Sequence, residues 1–103
     1  MKSELIYDYL INNCVGYDNR IKANVLMTLF GIKDNKTFRS YIQDIRKNPD
    51  YEKLVGSEAG HNGGYYIVSN YDEYKKTIDH HYLRAMEMLK TYGIMKEKYL
   101  KRK

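Results

Sequence analysis

Among the 103 residues there is one cysteine and one proline. The lone Cys14 excludes an intrachain disulfide framework and any multi-cysteine zinc site, and it fits a reducing, intracellular setting. No apolar run reaches the ~18 residues that a membrane span needs. The opening MKSELIYDYL carries acids where a secretory signal would be basic and then apolar, so no targeting segment is expected. Paired carboxylates, a nucleophile–base set and a phosphate-cradling loop are missing too. These absences point to a cytoplasmic binding module rather than an enzyme, with no cofactor and no membrane partner.

What is present supports a folded domain. Hydrophobic residues make up 43% and charged residues 30%, enough for a core and a solvated surface. Lysine and arginine number 18 against 13 acids, for a net charge of +5. Residues 90–103 hold six bases and one acid, so the whole excess lies in that tail and residues 1–89 balance. The overall basicity is therefore a weak pointer to nucleic acid, and local clustering matters more.

Along the chain, Leu5, Ile6, Tyr9 and Leu10 predict a first helix over 3–13, with Ser3 as its cap. A turn over 15–19 and a short extended stretch with Ile21 buried follow. The segment KANVLMTLF predicts a second helix burying Ala23, Leu26, Leu29 and Phe30, closed by Gly31 in a left-handed turn with Ile32 packed behind it. Asp34 is positioned to cap a third helix over 35–47, whose apolar stripe is Phe38, Tyr41, Ile42 and Ile45; Asn48-Pro49 stops it. The period then changes. Residues 53–57 and 64–69 read as two strands joined by a glycine-rich tip, with Tyr65 or Tyr66 turned inward. Asn70 caps a long fourth helix, with Asp72 and Glu73 in its first turn and Gly93 as a point of ending or bending. Its stripe of Tyr74, Ile78, Tyr82, Ala85, Leu89 and Tyr92 is longer than a small domain needs to cover itself.

Two helices joined by about four residues and followed by a hairpin form a winged helix-turn-helix. The expected class is thus α+β, mostly α: three helices and a hairpin wing in residues 1–70, then a long C-terminal helix with a basic tail in residues 71–103. The third helix would lie in the major groove. Opposite its apolar stripe it carries Lys36, Arg39, Ser40, Gln43 and Lys47, with Thr37 in the first turn. Arginine can form two hydrogen bonds with a guanine edge, glutamine two with adenine, and lysine can hold a phosphate. From Lys33 to Lys47 there are five bases and two acids, a local excess in a balanced body.

From about Arg20 to Tyr99 the chain resembles the small winged helix-turn-helix DNA-binding proteins of Gram-positive phages and mobile elements. The likeness rests on KANVLMTLFGIKDNKTFRSYIQDIRK, on the wing ending GGYYIVSN, and on the long helix opening with DEYKKTID. It implies double-stranded DNA as partner and a role in transcription regulation or replication. The wing departs from a basic one: SEAGHNGG has no lysine or arginine and includes Glu58, so glycine amides, His61 or Asn62 would make any backbone contact.

Other features have plainer readings. Most of the twelve tyrosines are expected in the core rather than stacked on bases. His80 and His81 diverge by roughly a hundred degrees on a helix, so no metal site is expected. The basic tail is either a phosphate-binding arm or a solubilising helix end. The expectation is a homodimer joined through Tyr74, Ile78, Tyr82, Ala85 and Leu89. The alternative is a winged-helix interaction module that binds and inhibits a host protein.

Overall fold

The computed structural model describes residues 2–101 and is mostly helical, with one two-stranded antiparallel sheet. The elements are α1 (Lys2–Asn13), a 3₁₀ turn (Tyr17–Asn19), α2 (Ala23–Leu29), α3 (Asn35–Lys47), β1 (Val55–Glu58), β2 (Gly64–Ile67) and α4 (Tyr71–Lys101).

The first helix buries Ser3, Ile6, Tyr7 and Leu10, so its inner face is rotated from the expected one. Leu5 is 55% exposed, Tyr9 is half-buried, and Ser3 packs inside the helix instead of capping it. Tyr7 takes the inner place because its polar end is satisfied there: the hydroxyl accepts a hydrogen bond from the Lys53 amide at 2.8 Å. Its ring also lies 4.8 Å from that of Tyr51.

In α2 the buried pair is Leu26 and Met27, while Leu29, expected inside, is 53% exposed. The helix end explains the change. Ile32 N donates to Met27 O at 2.9 Å and Gly31 N to Thr28 O at 3.3 Å, the paired bonds of a Schellman ending. Gly31 sits at φ 66°, as the sequence predicts, and Ile32 is buried against the core. Asp34 caps α3, accepting from Thr37 N at 3.1 Å and Thr37 Oγ1 at 3.0 Å. Phe38, Ile42 and Ile45 are buried, as expected, with Tyr41 half-buried at the edge.

Both strands are shorter than the sequence suggests and pair Val55 with Ile67 through Glu58 with Gly64. Beyond β2, the second edge is occupied: Val15 bridges Ile67 and Ile21 bridges Tyr65. Ile21 and Tyr65 exchange both backbone bonds at 2.9 and 2.8 Å. That close approach needs glycine next door, since a Cβ on Gly64 would lie 2.6 Å from Ile21 O. The hairpin is thereby tied to the chain entering α2, with no open edge on that side. Tyr66 points inward, 2% exposed.

The fourth helix begins with a reciprocal cap. Asn70 Oδ1 accepts from Glu73 N at 2.9 Å, and the Glu73 carboxylate reaches back to Ser69 N at 2.8 Å and to Tyr17 N at 2.9 Å. The helix then runs through Gly93 without ending. Its 31 residues span about 46 Å, and Thr77 is its one buried residue among those described. From residue 78 to 101 every position is exposed. Tyr74 (46%) and Tyr82 (61%), on the stripe expected to join two copies, are exposed as well. The radius of gyration is 16.5 Å, against about 13 Å for a globular chain of this length. The distal half of α4 is an arm standing off the body.

Candidate nucleic-acid interface

The exposed side of α3 is built by its period. Arg39, Gln43, Arg46, Lys36, Lys47 and Ser40 fall within an arc of about 120° at 3.6 residues per turn, beside the buried Phe38, Ile42 and Ile45. All are exposed except Arg46, which is partly buried. Thr37 is not part of this side. Its hydroxyl serves the Asp34 cap, and the Thr37 hydrogen bonds hold the Asp34 carboxyl below its usual range.

The basic side of α3 forms one wall of an open cleft of about 860 Å³. The start of α2 (Lys22, Asn24) and the hairpin, including His61, form further walls, and His80, His81 and Arg84 of α4 close it. Of the expected contact residues, Arg39, Gln43 and His61 meet in this cleft; Lys36, Ser40 and Lys47 lie on the outer part of the same helix side. Asn62 gives its carbonyl to Arg20 Nε at 2.7 Å, and this bond braces the hairpin tip against the chain before α2.

The acid in the hairpin is already occupied. Tyr17 Oη donates a short hydrogen bond to Glu58, and Lys76 of α4 pairs with the other carboxylate oxygen at 3.2 Å. Those partners, Tyr17 first and Lys76 second, hold Glu58 below the usual carboxylate range. Arg20 lies 4.0 Å over the Tyr17 ring, and Lys76 lies 5.3 Å from it. Glu58 therefore repels an incoming anion less than the bare sequence implies.

Arg46 enters the sequence pattern only as one charge among five. In the fold it sits at the cleft floor, where Nε donates to Val55 O at 3.0 Å and one terminal nitrogen to Ser57 Oγ at 3.0 Å. The other terminal nitrogen lies 3.3 Å from His81 Nε2. His81 Nδ1 lies 2.9 Å from Thr77 O, and a carbonyl only accepts, so Nδ1 carries the hydrogen and Nε2 accepts from Arg46. Burial weakens the hold of Arg46 on its proton, and Arg84 nearby adds to the effect. A guanidinium nevertheless stays charged. No carboxylate forms an ion pair with Arg46, Arg39 or Arg84 among the described residues.

Elsewhere the chemistry is sparse. Cys14 is 3% exposed, and burial raises its thiol pKa, which keeps it protonated and unreactive. No group of three potential metal ligands occurs among the described residues. No helix there is long and apolar enough to cross a membrane. In comparisons with protein-family models, curated proteins and solved structures, nothing matches this chain.

Proposed function

We propose that the chain is a winged-helix protein that binds duplex DNA with sequence preference, acting in the cytoplasm as a transcriptional regulator or replication-associated factor of a mobile element. The observation that carries this reading is the basic side of α3, with no acid paired to it and a glycine-tipped hairpin alongside. Element order supports the same reading: a helix, an extended stretch paired to the hairpin, two helices across a tight turn, then the hairpin. In this reading α3 enters the major groove, Arg39 and Gln43 address neighbouring base pairs, and Lys36 and Lys47 meet phosphates.

The arm supports a homodimer. Tyr74, Ile78, Tyr82, Ala85 and Leu89 share one side of α4 and stay uncovered by their own body. A second copy offers the same stripe over the same length, so two arms would cover each other and set two α3 helices about one DNA turn apart. The exposed apolar arm also favours the second reading, a module that seizes and inhibits a host protein.

Titration of selected and scrambled duplexes at one salt concentration separates the readings. Arg39→Ala or Gln43→Ala should cost roughly 1–3 kcal/mol on the selected site and far less on the scrambled one. Lys36→Ala should weaken both alike. A wild type without preference for any selected duplex, or an Arg39→Ala variant that binds it unchanged, would put the protein-partner reading first.

A further inference from the structure

The arginine at the floor of the cleft poses a physical problem that the fold alone does not solve. A buried or half-buried cation is normally paired, because desolvation costs more than neutral hydrogen bonds return. Arg46 is held by a carbonyl, a hydroxyl and an imidazole nitrogen, all uncharged. Arg39 and Arg84 face the same cleft without carboxylate partners among the described residues, and Lys22 stands at its rim. The one acid on the cleft wall, Glu58, is already bound by Tyr17 and Lys76. Four cations thus converge on a space with no free anion.

The guanidinium geometry shows what is left over. Three of the five Arg46 N–H groups are used, one toward each of Val55, Ser57 and His81, which fixes the plane of the group. The remaining two are available for an oxyanion, for which the guanidinium fork is suited. The wall opposite α3 comes from α4, where Arg84 and His80 lie 3.5 Å apart at their nitrogens. Thr77, His81 and Arg84 follow at i, i+4 and i+7, a polar face adjacent to the Ile78, Tyr82 and Leu89 stripe and distinct from it. The first half of α4 can therefore serve the cleft while its apolar stripe is covered by a second copy.

We infer that the cleft between α3, the hairpin and the first half of α4 is a phosphodiester site, in which Arg46 and Arg84 grip the backbone of a nucleic acid strand. The sugar-phosphate strand passes between the reading helix and the hairpin, and α4 becomes a contact element as well as a dimer arm. This site deepens the DNA-binding reading and rests on it for the identity of the phosphate, duplex or single strand. It does not depend on sequence preference.

The test is fluorescence anisotropy of the full chain with a labelled random-sequence duplex and with its single strand, across a potassium chloride series. Arg84→Gln and Arg46→Lys are compared with Lys53→Gln, which removes an exposed charge away from the cleft. Arg84→Gln should weaken binding several-fold and flatten the slope of log K against log salt by roughly 0.9, the share of one neutralised phosphate. Lys53→Gln should leave both unchanged. Weaker binding of the duplex alone assigns the site to double-stranded backbone, and equal weakening on both forms assigns it to a strand in either form. Arg84 is exposed, so its replacement tests the site even where Arg46→Lys loosens the fold. Equal affinities and slopes for wild type and Arg84→Gln on both probes would overturn the inference. A wild type that shows no sequence preference, while Arg84→Gln still binds more weakly, would remove the sequence-reading proposal and leave the phosphodiester site standing.

Discussion

The body and the arm spend their apolar residues in opposite ways. In residues 2–70 most large hydrophobics go inside, Leu5, Val15, Val25 and Leu29 excepted: Ile6, Leu10, Leu26 and Val55 are 0% exposed and Phe38 is 2% exposed. Within that body the exposed side of α3 is polar and basic. In α4 beyond Thr77 the same residue types stay out, with Tyr82 and Leu89 each 61% exposed and Tyr92 62%. Helix propensity is satisfied in both regions, so propensity cannot be what separates them. The difference is tertiary: α3 lies against α1 and the sheet, whereas α4 buries only Thr77 among its described residues and, past the Arg46–His81 contact and the cleft wall at Arg84, runs on exposed. Folding covers the apolar residues of one part of the chain and leaves those of the other exposed.

The largest expected effect is on stability. Phe38→Ala opens a cavity in the single core and should cost about 3–5 kcal/mol. Leu89→Ala, measured at a concentration low enough to keep protomers apart, should move stability by no more than about 0.5 kcal/mol. Urea melts of the two variants are enough to check this. Comparable destabilisation would mean that the arm packs on its own body.

How much of this is legible in the sequence follows the same division. The third helix is readable because its stripe, its Asp34 cap and the Asn48-Pro49 stop agree with one another. The Gly31 turn is readable because a left-handed ending favours glycine. The inner faces of α1 and α2 are not, since Leu5 against Tyr7, and Leu29 against Met27, depend on partners far along the chain. Tyr7 is buried because the Lys53 amide meets its hydroxyl, which no local spacing announces. The cleft is half legible. Arg39 and Gln43 follow from helix geometry, but Arg84, His81 and Lys22 reach the site only through packing. The sequence clue is the polar series Thr77, His81, Arg84 beside an apolar one. Glu58 reads as a repulsive wing residue because Tyr17 and Lys76, its partners, lie 41 and 18 positions away.

The next effect is on association. Wild type should sediment as a dimer at tens of micromolar, an order of magnitude set by mass action. The Ile78→Glu, Leu89→Glu double variant should sediment as a monomer with an unchanged core, because both positions are exposed in the single chain. A monomeric wild type at that concentration would sink the dimer and leave the arm to a different protein.

A smaller effect concerns the tail. Ending the chain after Leu89 removes six bases and one acid, and should weaken binding to any duplex about equally. Every phosphate that the tail neutralises should account for roughly 0.9 of the salt slope, which the shortened chain would no longer show. An unchanged slope would show that the arm's end lies away from DNA, and would confine the electrostatics to α3 and the cleft.

The smallest effect is expected where body and arm join, and its sign follows from the bonds there. Tyr17 and Lys76 hold the Glu58 carboxyl below its ordinary 4.5. Burial works against ionisation of Glu73, but the hydrogen bonds from Tyr17, Ser69 and Asn70 outweigh it and leave that carboxyl low as well. Each carboxylate therefore adds stability that is fully present above 4.5 and is lost as pH falls through the lower folded value. Lys76 behaves in the opposite sense. Its partner Glu58 raises it above 10.5, so its contribution is present below that value and is lost only as pH rises through the raised one. Urea midpoints measured from about pH 7 down to about pH 3 should fall for wild type and fall less for Glu58→Gln, which has no carboxylate to protonate at that position. Glu73→Gln should behave likewise and also free the start of α4. Parallel acid limbs for wild type and Glu58→Gln would show that solvent screens the Tyr17–Glu58–Lys76 cluster completely, and that the Glu73 cap and the packing of Thr77 near Gly56 hold the arm to the body without it.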